Sequence, residues 1–143
     1  MIPIRTILSL GALAIGVCSA DAGQAASNGG IGVELNKLET AGDACRAYLV
    51  LTNRSGKAFT SLKLDLVMFD GDGIVQRRVA VETAPVAVGK TSLKVFDIPG
   101  TACSAIGRVL LNGVMSCADA NGARDDCLSL VTVASRAQQP LIK

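Results

Sequence analysis

Four cysteines stand behind an N-terminal export leader, and an oxidised chain of this size must fold so that they meet in pairs. The leader begins with Arg5, continues through the apolar run 7–17 (ILSLGALAIGV) and ends in small residues, with Ala20-Asp21-Ala22 fitting the small-x-small cleavage rule. Ala26 offers a second cut, so the mature chain starts between Gly23 and Ser27. The apolar run falls short of the roughly 20 residues that cross a bilayer. No Arg-Arg pair precedes it, which points to the general secretory route. A fifth cysteine, Cys18, follows Val17 where a lipoprotein signal would carry Gly or Ala, so Cys18 is expected to leave with the leader.

The expected organisation is a leader over 1–22 (or 1–26), a flexible mature N-terminus over 23–30, a β-sandwich over 31–136 and a C-terminal tail over 137–143. About 120 residues remain after cleavage, enough to bury one core without a metal. A formal charge of +2, scattered along the chain, gives no footprint for nucleic acid. Nothing after the leader is long and apolar enough to span a membrane. The mean hydropathy of +0.44 is inflated by the leader.

Alternation of apolar and polar residues predicts seven strands near 31–36, 45–53, 59–70, 73–82, 91–98, 105–115 and 127–135. The third is clearest, with Leu62, Leu64, Leu66 and Met68 on one face and Lys63 and Asp65 on the other. Turn residues separate the strands at Asn53-Arg54-Ser55-Gly56, Asp70-Gly71-Asp72-Gly73, Val88-Gly89-Lys90, Pro99-Gly100 and Asn121-Gly122. No helical stripe follows the leader, so the expected fold is an all-β, immunoglobulin-like antiparallel sandwich of about seven strands.

Cys45, Cys103, Cys117 and Cys127 can pair in three ways. In an immunoglobulin-like order the second and sixth strands face each other across the core and run in the same direction. Cys45 opens the second and Cys103 precedes the sixth, which places them at one end and pairs them. Cys117 then joins Cys127 across the expected hairpin between strands six and seven.

The stretch Tyr48-Leu-Val-Leu-Thr-Asn53-Arg-Ser-Gly56, Phe59-x-x-Leu62, Met68-Phe69-Asp70-Gly-Asp72-Gly73 and Val88-Gly89-Lys90-Thr91 resembles the FxLYD-like group of bacterial exported immunoglobulin-like domains. Phe69 stands where Tyr is usual, Val88 replaces the turn Pro, and the four cysteines are additional. The resemblance covers about half the mature chain, through turn and core residues, and implies a fold rather than an activity.

The chain has no His, which removes imidazole bases, Ser-His and Cys-His nucleophiles and His-bound metals. Asp70-Gly71-Asp72-Gly73 lacks the later ligands of a calcium loop, because Ile74 and Val81 occupy those positions. No Cys-x-x-Cys suggests redox catalysis. Asn53-Arg54-Ser55 matches a glycosylation sequon but is explained equally by a turn. No cofactor is expected. The polar loop 118–126, stapled at its base, offers Asn121, Arg124, Asp125 and Asp126 as a recognition surface. The sequence therefore points to a periplasmic or secreted non-catalytic domain that binds a protein or another envelope component. Its alternatives are a small inhibitor of a secreted hydrolase, and an envelope enzyme using carboxylates among Asp70, Asp72, Asp125 and Asp126.

Overall fold

The computed structural model describes residues 29–143; the leader, its cleavage sites and residues 23–28 lie outside that range. Nine strands form two sheets: β1 (Ile31–Ala41), β2 (Ala44–Asn53), β3 (Ser61–Phe69), β4 (Val75–Glu82), β5 (Thr91–Ile98), β6 (Arg108–Asp119), β7 (Gly122–Ala123), β8 (Val131–Ser135) and β9 (Leu141–Ile142). One sheet has the order β5-β2-β1-β8; the other has β4-β3-β6-β7, with β9 also alongside β6. A single 3-10 turn (Cys103–Ala105) precedes β6, and one helical turn, α1 (Cys127–Leu130), precedes β8. No helix of the described residues is long and apolar enough to cross a membrane.

Period-two alternation builds the core, because successive side chains of a strand point to opposite faces. Ile31, Val33 and Leu35 of β1 and Ala47, Leu49 and Leu51 of β2 meet Leu62, Leu64, Leu66 and Met68 of β3. The filling is aliphatic, with Phe59 as the fully buried aromatic ring. Both expected bonds are present, Cys45–Cys103 and Cys117–Cys127. Since β2 starts and β6 starts at one end of the sandwich, and β6 finishes at the other, the two bonds brace opposite ends.

Several boundaries differ from the sequence reading for identifiable reasons. The first strand runs on to Ala41 because a bulge at Asn36 shifts the alternation by one residue. Two bulges in β6 likewise blur its period, and it runs to Asp119 rather than ending near 115. The expected seventh strand starts as α1, a turn too short to show a helical period. Its remainder, β8, crosses to the other sheet and pairs in parallel with β1 rather than forming a hairpin with the sixth strand. The Cys117–Cys127 bond therefore ties β6 to the crossing segment. The expected tail over 137–143 supplies β9, whose Leu141 is buried in the core. At the other end, Gly30 lies so close to the Leu130 carbonyl that a Cβ would stand 2.3 Å from its oxygen, which requires glycine there.

The loops closed by the bonds, with separations of 58 and 10 residues, set their relative worth. Chain entropy predicts that Cys45→Ser/Cys103→Ser lowers the unfolding free energy by about 4 kcal/mol and Cys117→Ser/Cys127→Ser by about 2.5 kcal/mol. Urea unfolding of the two double variants checks both the size and the order.

Candidate functional site

The stapled loop is braced from within. Asp119, buried at the end of β6, accepts a hydrogen bond from the Asn121 backbone N–H at 2.8 Å, and the Arg124 N–H returns to the Cys117 carbonyl at 2.8 Å. The Arg124 guanidinium donates to both Asp126 carboxylate oxygens at 2.9 and 2.7 Å and to Asp119 at 3.3 Å, and lies over the Phe59 ring at 5.6 Å. Its hydrogen bond to Asp126 holds that carboxyl below its ordinary value and raises Arg124. Of the four expected recognition residues, Arg124 and Asp126 are thus engaged with each other, while Asn121 and Asp125 are exposed. A shallow cleft of about 220 Å³ lies beside Asn121, between Lys57 and Val88.

The neighbouring loop is held by Asn53, which is fully buried. Its Nδ2 donates to the carbonyls of Lys57 at 2.7 Å and Ala87 at 3.1 Å, and its Oδ1 accepts from the Ser55 N–H and hydroxyl. The sequon residues build a turn whose amide group is wholly committed.

The four candidate carboxylates sit in two separate places. Asp70 accepts from the backbone N–H groups of Ile74 and Asp72 and from Gln76, which, with the Ile74 bond foremost, hold its carboxyl below the ordinary value. Asp70 follows Phe69, which pairs with Arg108, whereas Ser61 at the other end of β3 pairs with Ala118. At about 3.3 Å per residue, β3 rises roughly 26 Å from Ser61 to Phe69, so the Asp70–Asp72 turn and the stapled loop belong to opposite ends of the sheet. Asp125 and Asp126 border a cleft with Leu128, Ser129 and Lys143, which Asp70 and Asp72 do not line, and among the described residues no three His, Cys, Asp or Glu side chains converge on a metal position.

Two features escape the sequence reading. Asp65 points to the outer face of β3, as its alternation requires, yet is only 3% exposed. Arg78 of β4 donates to it in bidentate fashion at 2.7 and 2.8 Å, and Asn112, at a bulge of β6, donates at 2.6 Å. The burial depends on partners from two other strands, which no local pattern displays. The second feature is β5. This strand pairs with β2 along its whole length without a register shift, from Thr91↔Thr52 to Ile98↔Cys45, and among the described residues no strand pairs with its other edge. Leu93 and Val95 project outward from it, 59% and 40% exposed, opposite Val50 and Tyr48. Lys94 and Phe96 point the other way, and a cleft of about 410 Å³ between β5 and β4 is bordered by both rows, Lys94 and Phe96 from one and Val95 and Asp97 from the other. The alternation of β5 was legible as a strand; the absence of a second neighbour was the signal that only topology supplies.

No protein-family model and no curated protein matches the chain. Among solved structures it is similar to IrmA from Escherichia coli, with a TM-score of 0.54 and 15% identity over 72% of this chain and 89% of that one. At this identity the likeness concerns the fold alone, and the two-sheet architecture is what the chains share.

Asp65 yields a pH prediction. The Arg78 hydrogen bond, opposed by burial, leaves its carboxyl below the ordinary value, so the native state binds fewer protons than the unfolded chain. Its contribution is complete above about pH 4 and is lost as the pH falls through the depressed native value. Asp65→Asn should lower the urea midpoint at neutral pH and flatten its decline in acid; parallel declines in parent and variant would refute the assignment.

Proposed function

We propose that the chain is an exported, non-catalytic binding domain that engages a protein of the cell envelope through the free edge of β5 and the sheet face beside it. The observation that carries this reading is the pairing of an open, unbulged edge with two outward aliphatic side chains, Leu93 and Val95. Exposed straight edges recruit extended segments by backbone hydrogen bonding, with the flanking side chains supplying selectivity. The two disulfides support an oxidising compartment outside the cytosol. The resemblance of residues 48–98 to FxLYD-like exported domains agrees with it. The absence of His and the separation of the carboxylates favour binding over catalysis.

A photo-crosslinking side chain at position 93, introduced in the exporting cell, should give a discrete protein adduct. Position 115 is the matched control, because Met115 is 56% exposed on the other sheet. Equal adducts from both positions, or none from 93, would end the reading.

The bracing of the stapled loop favours a second reading, in which that loop enters and inhibits a secreted hydrolase. Rigid loops lose little entropy on binding. Asn121→Ala/Asp125→Ala, both at exposed positions, should then weaken inhibition at least tenfold with thermal stability unchanged. Undiminished inhibition would exclude the loop.

A further inference from the structure

We infer that the segment accepted by β5 is extended, carries an acidic side chain opposite Lys94, and places aliphatic side chains opposite Leu93 and Val95. This inference rests on the docking edge proposed above and specifies what that edge selects. Alternation fixes the requirement: Lys94 and Phe96 lie on one face of β5, Leu93 and Val95 on the other. An added strand must match both rows at once, since directly opposed side chains share a face.

The charge balance of the cleft points to an acid. Lys94 borders this cleft together with Glu82 of β4 and, from the opposite row of β5, Asp97, and both carboxylates are occupied. Glu82 accepts from the Leu62 and Ala84 backbone N–H groups at 2.7 and 3.0 Å and from the Ser61 hydroxyl. Asp97 is held by Arg46 at 2.8 and 3.1 Å. Among the described residues Lys94 forms no ion pair. It is the cation left for an incoming strand.

The same residue argues against a second copy of this chain as the occupant. A symmetric antiparallel pairing that keeps the sheet faces continuous is centred on one residue. Centred on Lys94, it opposes two ammonium groups. Centred on Val95, it sets Lys94 against Phe96 and Leu93 against Asp97. Centred on Leu93, it faces Lys94 with Ser92. None of these registers neutralises the lysine. Inward-pointing charge on an edge normally discourages pairing, and here it discourages apolar and basic strands while leaving acidic ones favourable.

The test uses two blocked synthetic peptides, Thr-Val-Glu-Val-Thr and Thr-Val-Lys-Val-Thr, titrated into the mature protein with amide chemical shifts and hydrogen exchange as readouts. The Glu peptide should protect amides within Thr91–Ile98 and bind about tenfold tighter than the Lys peptide, the size expected when a cross-strand attraction becomes a repulsion. Lys94→Glu should reverse the preference, and Lys94→Gln should abolish it; unchanged thermal unfolding of both variants certifies their fold. Protection of β5 by both peptides without reversal would overturn the acidic selectivity and leave the docking edge standing. Absence of protection there with either peptide would overturn the edge itself. Concentration-dependent self-association that protects β5 would replace the inference with a homodimer.

Discussion

Cys45–Cys103 and Cys117–Cys127 clamp the sandwich at opposite ends, and the layer between them is thin and aliphatic. A core with so little aromatic area draws its stability from many small contacts, each sensitive to the spacing of the two sheets. The bonds hold that spacing where packing is weakest, at the turns. One ties the start of β2 to the turn before β6. The other ties the end of β6 to α1, where the chain leaves one sheet for the other. Without the second tie, the crossing to β8 would rest on a four-residue helical turn and a five-residue parallel pairing.

Polar chemistry in this chain is spent mostly on architecture. Asn53 joins two loops to the end of β2, Asp119 and Arg124 shape the stapled loop, and Asp70 closes its own turn. Asp65 is the case with the largest demand, because a carboxylate nearly shut off from water needs charged or hydrogen-bonding partners to remain ionised. Arg78 and Asn112 meet that demand while keeping their own outer atoms in solvent. Groups already saturated in this way have little capacity left for acid–base work, whatever their abundance in the sequence.

How much was legible follows from how local each cause is. The row Leu62, Leu64, Leu66 and Met68 announces β3 because alternation is a property of neighbours. The cysteine pairing was readable once strand direction was granted, since direction alone puts Cys45 and Cys103 at one end. The bulges at Asn36 and in β6 were not readable, because an inserted residue erases the very period used to find the strand. The departure of β8 to the far sheet, the β9 pairing of Leu141 and the burial of Asp65 arise from partners many residues away. Of the expected recognition residues, Asn121 and Asp125 lie at the surface as a polar turn suggests, whereas Arg124 is drawn inward by Asp119 and Phe59, neither of which marks itself in sequence.

The remaining question is why one edge stays open when the others are guarded. On β4, Gln76, Arg77 and Arg78 cover the exposed strand with polar side chains. The edge of β6 is interrupted by two bulges and covered at its ends by β7 and β9. Against these, β8 is short. Each is a recognised way of preventing edge-to-edge association. On β5 the middle of the outer row, Leu93 and Val95, is aliphatic and the strand is straight, so protection there falls to Lys94 on the inner row. A single inward charge does not close an edge; it makes pairing conditional on the charge of the incoming strand. A sandwich whose other edges are blunted has, in this strand, the edge to which the proposed association is assigned, a straight backbone beside a cleft lysine that forms no ion pair among the described residues.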